Sequence, residues 1–194
     1  PHTSRSRLFP RLRVSPSCRR VFVFIYIPSE RLNKDTMTDI TSTCGFLEQH
    51  FDRIEEGARF RSRGRTLTEA DILQWCALTG DWYVLHTDAH HAARTRFGQR
   101  IAPGLMLLAY AAGLGIPPAA PAIVANYGSD ALRFTAPAFI GDTIHLEAAV
   151  LEKTVKRPGT DGVVRLQWNV HNQNGLLLMA SELRILMAFE GAAR

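Results

Sequence analysis

Cysteine is scarce: only Cys18, Cys44 and Cys76 occur in 194 residues. Three thiols with no CxxC pair give neither a disulfide framework nor a cysteine-based zinc site. The default compartment is therefore a reducing one, and the expected location is the cytoplasm. No apolar run approaches the ~20 residues that a membrane-spanning helix needs, so no membrane partner is expected. Internal repeats and low-complexity tracts are missing too. What remains is ordinary for a globular protein, at 46% hydrophobic and 21% charged residues, and the length suits one domain with a proper core.

A consistent positive field is also lacking, despite a net charge of +5. Residues 1–36 hold eight basic side chains (Arg5, Arg7, Arg11, Arg13, Arg19, Arg20, Arg31, Lys34) against Glu30 and Asp35. The rest has 15 basic and 16 acidic residues. Its near-neutral balance excludes a nucleic-acid footprint. The Arg- and Ser-rich head, with the apolar "VFVFIYIP" after Arg19 and Arg20, has two readings. One is a targeting peptide; the other, which we favour, is translated upstream sequence with Met37 as the start. Residues 1–36 are expected to be poorly ordered, and 37–194 to form a single domain.

Periodicity organises that domain. "CGFLEQHFDRIEEG" reads as a short lead-in helix or turn, and "ARFRSRGRTLT" as a strand. In "TLTEADILQWCALTGD", Thr68 is an N-cap with Asp71 at the capping-box position. Ile72, Trp75, Cys76 and Leu78 recur at helical spacing, and Gly80 ends the helix. "DAHHAARTRFG" reads as a second short helix closing at Gly98. In "IAPGLMLLAYAAGLGIPP", Pro103 can open a helix. Leu105 to Ala112 is apolar on every side, which predicts a helix buried all round. "AIVANYGSDALRFTAPAFIGD" reads as two short strands broken near Gly128 and at Pro137. "DTIHLEAAVLEK", "VVRLQWNVHN" and "GLLLMASELRILMAF" read as three long strands, with "RPGTDG" and "NQNG" as hairpin turns. The fold class is α+β: a twisted antiparallel sheet wrapped around a central apolar helix, the hot-dog arrangement. Its open sheet edge predicts a homodimer.

In "GDWYVLHTDAHHA", Asp81 follows a helix end and His86 stands five positions later. At neutral pH, one is a charged carboxylate and the other an imidazole able to pass protons either way. His86, His90 and His91 have no cysteine or second carboxylate at ligand spacing, so no metal is expected there. The stretch "LTGDWYVLHTDAHHAARTRFGQRIAPGLMLLAYAAGLG" resembles the MaoC-like, (R)-specific enoyl-CoA hydratase family. A second block, "NYGSDALRFTAPAFIGDTIHLEAAV", resembles that family's strand–turn–strand. Together they run from about residue 58 to residue 189.

The resemblance implies reversible hydration of a trans-2-enoyl-CoA to an (R)-3-hydroxyacyl-CoA, with no cofactor. Asp81 and His86 match the family's catalytic pair, and Gly104 the glycine whose N–H holds the thioester oxygen. Pro103, Leu105, Trp82 and Tyr83 are the further candidate substrate contacts. The partner is then an acyl-CoA or acyl carrier protein thioester. This chain departs from the family in having Tyr83 and Val84 where Asn-Pro is frequent, Pro103 where histidine often precedes the glycine, and Ala109 where several members carry serine. Two alternatives stand beside hydration. One is a hot-dog thioesterase, disfavoured because residues 104–115 contain no acid. The other is a non-catalytic thioester binder or structural subunit of a heteromeric dehydratase.

Overall fold

A computed structural model describes residues 44–192. The basic head at 1–36 and the start expected at Met37 lie outside the described residues.

The lead-in forms two 3-10 turns, Gly45–Glu48 and Phe51–Arg53, which bury Phe46, Leu47 and Phe51. The single strand expected next is two short ones, β1 (Arg59–Arg61) and β2 (Arg65–Thr66). Both pair with β4 (Thr143–Arg157). The ladder breaks between them because the Ser62 hydroxyl accepts the Leu146 N–H at 2.9 Å in place of a backbone carbonyl.

Helix α1 (Glu69–Thr79) starts at Thr68 with a full capping box and stops at Gly80, whose φ of 76° is the left-handed conformation that glycine adopts freely. The short helix expected over 88–98 is α3 (Ala89–Ala93), which stops short of Gly98, and an additional short helix, α2 (Val84–Thr87), precedes it. Asp88 separates them in an extended conformation and caps α3 by accepting the His91 N–H.

The region read as two strands broken near Gly128 is one strand, β3 (Ile123–Phe134). Its register against β6 (Leu177–Ala188) slips at three places, one of them between Asn126 and Gly128. Such bulges insert unpaired residues and disturb the alternation without ending the strand. The three long strands do form an antiparallel meander, β4 to β5 (Asp161–His171) to β6. The sheet order is β1-β4-β5-β6-β3.

Helix α4 (Gly104–Gly115) lies against the concave face of this sheet, and the architecture is a hot-dog fold. Met106, Leu107, Ala111 and Leu114 are buried against core residues that include Leu146, Leu166 and Trp168. The close approach requires Gly115, where a Cβ would lie 2.4 Å from the Trp168 ring and 2.5 Å from Leu146. The helix is not buried all round as its composition suggested. Leu105 is 58% exposed, and Ala109, Ala112 and Gly113 share its exposure. One sheet covers one side of a helix, and uniform apolarity does not say what covers the other.

Candidate active site

The sequence brings two helix ends together. The last turn of α1 and the first turn of α4 border a cleft of about 260 Å³ lined by Trp75, Thr79, Asp81, Pro103, Gly104, Leu105 and Phe134. Of the residues singled out in the sequence, Asp81, Pro103, Gly104 and Leu105 share this wall. Trp82 and Tyr83 are not among the lining residues; both are more than half exposed. His86 is not among them either.

Asp81 sits just past the Gly80 stop, where the chain has left the helix. Its N–H donates to the Thr79 hydroxyl at 3.2 Å, and the Trp82 N–H donates to the Gly80 carbonyl at 3.0 Å. These short-range bonds fix the backbone and leave the carboxylate exposed on the cleft.

His86 is half-buried, with its ring edge-on to Tyr83 at 5.7 Å between centroids. Its Nδ1 is 2.8 Å from the Ile101 carbonyl oxygen. A carbonyl only accepts, so Nδ1 carries the hydrogen, and in the neutral ring Nε2 then keeps its lone pair. Ile101 lies three residues ahead of Gly104, so one short segment both orients the imidazole and starts α4.

At the head of α4, Pro103 contributes no N–H, and no side chain caps the helix. The Gly104 and Leu105 amides lie in the first turn, where no intrahelical acceptor is available, and they sit at the positive end of the helix dipole. The Phe134 ring stands against Gly104, and a Cβ there would come within 2.8 Å of it. The absence of a side chain at Gly104 is what lets the ring pack this close.

The sequence did not reveal Trp75, Thr79 and Phe134 as wall residues. The first two stand one turn apart at the end of α1, a signal readable once Asp81 is placed. Phe134 ends β3 far along the chain, and nothing local points to the cleft.

A part-buried network fastens the two helices that border the cleft. Asp71 accepts from the Thr68 N–H at 2.7 Å, the Thr68 hydroxyl at 2.6 Å, Arg65 Nη2 at 2.7 Å and the Tyr110 hydroxyl at 2.8 Å. Arg65 also lies over the Tyr110 ring at 3.9 Å. Burial pulls the Asp71 carboxyl upward, but the bonds from Thr68, Arg65 and Tyr110 outweigh it and hold the group well below the usual carboxylate range. The same carboxylate thus caps α1 and ties it to α4. Nearby, burial first and the Asp81 charge second push the Cys76 thiol up, which keeps it protonated and unreactive.

The MaoC-like domain model matches residues 51–171. The chain is 38% identical over 122 residues to Protein MaoC of Klebsiella aerogenes, covering 62% of this chain and 36% of that protein. It spans about one to two thirds of the length of the first curated relatives it matches. Among solved structures, a monoamine oxidase regulatory protein from Archaeoglobus superposes with a TM-score of 0.69 at 33% identity, covering 76% of this chain and 96% of that one. The R-hydratase PhaJ1 of Pseudomonas aeruginosa superposes with a TM-score of 0.57 at 31% identity, covering 72% and 85%. With more than half of its length matched by the family model, the chain belongs to the MaoC-like domain family.

Proposed function

We propose that this chain adds water reversibly across the double bond of a trans-2-enoyl thioester, carried by CoA or acyl carrier protein, to give the (R)-3-hydroxyacyl thioester. The observation that carries the reading is the cleft whose lining brings Asp81 together with Pro103, Gly104 and Leu105 at the N-terminal end of α4.

Hydration has three requirements. Water loses a proton as its oxygen bonds to C3. C2 gains a proton. The charge that develops on the thioester oxygen is stabilised meanwhile. Asp81 and His86 handle the two protons, each such transfer being worth ~10²–10⁴-fold. The Gly104 N–H receives the thioester oxygen, a donor of the kind worth ~10²–10³-fold. The lone pair left on His86 Nε2 suits a base, and the hydrogen bond to Ile101 selects that tautomer. No group in this scheme calls for a cofactor. Family membership and the likeness to a solved R-hydratase support the reaction class.

The exposed rim of Leu105, Phe134, Trp82 and Tyr83, beside a β3 whose far edge has no partner strand among the described residues, favours a second copy of the chain as its cover. Sedimentation equilibrium tests this: a dimer is expected, and a monomer at micromolar concentration contradicts it.

A second reading, thioester binding without turnover, is favoured by one observation: His86 is not among the residues that line the cleft. An assay separates the two. Loss of the conjugated-thioester absorbance of crotonyl-CoA should be catalysed by the full chain, and Asp81→Asn and His86→Ala should each lower kcat/KM by at least ~10². Turnover at the unmodified rate in both variants refutes the assignment. Saturable crotonyl-CoA binding without any turnover favours the second reading.

A further inference from the structure

The convex face of the sheet, away from the cleft, carries a group of side chains with no part in the proposed hydration. His145 on β4 and His171 on β5 are directly opposed in the antiparallel register. Their rings stack with centroids 5.6 Å apart. Glu147, two residues along β4 and so on the same face, reaches both: Oε1 is 3.4 Å from His145 Nε2, and Oε2 is 3.8 Å from His171 Nδ1. One ligating atom from each of the three lies within 4.8 Å of the others.

We propose that His145, Glu147 and His171 form a binding site for a divalent transition-metal ion of the Zn²⁺ class.

Three features support this. First, the donor set is two imidazoles and a carboxylate, each a recognised ligand of such an ion, and three protein ligands leave one position for water. Second, His171 Nδ1 is buried with no hydrogen-bond partner. Buried polar atoms are nearly always satisfied, and a metal ion at the centre of the group satisfies this one. Third, the group is shaped rather than loose. The His145 side chain is 9% exposed and that of His171 16%, while Glu147, at 44%, opens to solvent and provides the route of entry. Donors around a tetrahedral ion with bonds of about 2.0–2.1 Å stand roughly 3.3 Å apart. The Glu147 contacts of 3.4 and 3.8 Å already approach this spacing, and closing the whole group from within 4.8 Å takes rotation of the two imidazoles as well as movement of Glu147.

The opposing charge is Arg61 on β1, whose Nε is 4.0 Å from Glu147 Oε1. Its side chain is 67% exposed and can turn away. Asn169 pairs with Glu147 across the strands and completes the neighbourhood. Bound metal would clip β4 to β5 from outside the core.

The experiment titrates ZnCl₂ into the chelator-stripped full chain by isothermal titration calorimetry, with CoCl₂ absorption as a second readout. The expected result is one ion per chain at micromolar affinity, weakened at least tenfold by Glu147→Gln and by His171→Ala, with His90→Ala/His91→Ala unchanged. Glu147→Gln alters a half-exposed side chain, so far-UV circular dichroism should show it folded even if His171→Ala is not. On binding, the His145 and His171 ring nitrogens should shift in ¹⁵N NMR spectra. Absence of micromolar binding, or equal binding by Glu147→Gln, overturns the proposal and leaves the group an ion pair only.

Discussion

Replacing Asp71 by asparagine tests whether the cleft is held together from behind. Asp71 receives four hydrogen bonds, two at each carboxylate oxygen. Asparagine keeps one acceptor oxygen. If that oxygen faces Arg65 and Tyr110, the amide NH₂ is set against the Thr68 N–H, donor against donor, and the capping box fails. If it faces Thr68, Arg65 and Tyr110 lose their acceptor and α1 is no longer fastened to α4. Hydrogen bonds to a charged group are worth about 1.5–3 kcal/mol each, and a lost cap about 1 kcal/mol. With partial relaxation, the cost is about 2–4 kcal/mol. A domain of this size changes its Tm by about 2–4 °C per kcal/mol, so Tm should fall by roughly 5–15 °C at neutral pH.

The pH dependence has a definite sign. The folded pKa of Asp71 is held below its unfolded value. Between the two values the unfolded chain binds the extra proton, so the contribution is fully present above the unfolded value of about 3.9 and disappears as pH falls toward the folded one. The Tm gap between wild type and Asp71→Asn should therefore be constant from pH 7 to about 5 and narrow below about 4. Thermal melts followed by circular dichroism across that range measure both effects. An Asp71→Asn protein with unchanged Tm at pH 7, or a gap that widens in acid, refutes the reasoning.

Two further predictions concern the faces of α4. Gly115→Ala forces a methyl against Trp168 and Leu146, both fully buried. The overpacking costs about 1–3 kcal/mol, so urea unfolding should show a lower midpoint with an unchanged slope. An equal or higher midpoint contradicts the packing described. Phe134→Ala removes a half-exposed ring that stands over Gly104. Stability should change by less than about 1.5 kcal/mol, while the KM for crotonyl-CoA shifts severalfold. An unchanged KM for crotonyl-CoA and for a longer enoyl-CoA would place the substrate elsewhere.

The parts legible in the sequence were those encoded locally. Thr68, Asp71 and Gly80 announced both ends of α1 because caps act over three or four residues. The meander was legible because Val164, Leu166, Trp168 and Val170 alternate strictly with polar neighbours. The misread elements have separate causes. A bulge and a strand end disturb alternation alike, so β3 looked like two strands, and the pattern over 88–98 did not show that α3 ends at Ala93. An all-apolar helix shows that it needs cover, not how many sides one sheet supplies. The second half of the Asp71 network was invisible because Tyr110 lies on another helix. The facing of His145 and His171 depends on β4–β5 register, which neither strand states alone. For the candidate site, the sequence named Asp81, His86 and Gly104 through resemblance, but only the fold shows which of them share a wall and that Phe134 packs against Gly104.

The most direct test of the central claim is product analysis. Crotonyl-CoA is incubated with the full chain and, in parallel, with Asp81→Asn, and the 3-hydroxybutyryl-CoA formed is resolved by chiral chromatography. The account predicts the (R) enantiomer from the full chain and at least ~10²-fold less from Asp81→Asn. No product above the enzyme-free control, or equal formation by both proteins, contradicts it.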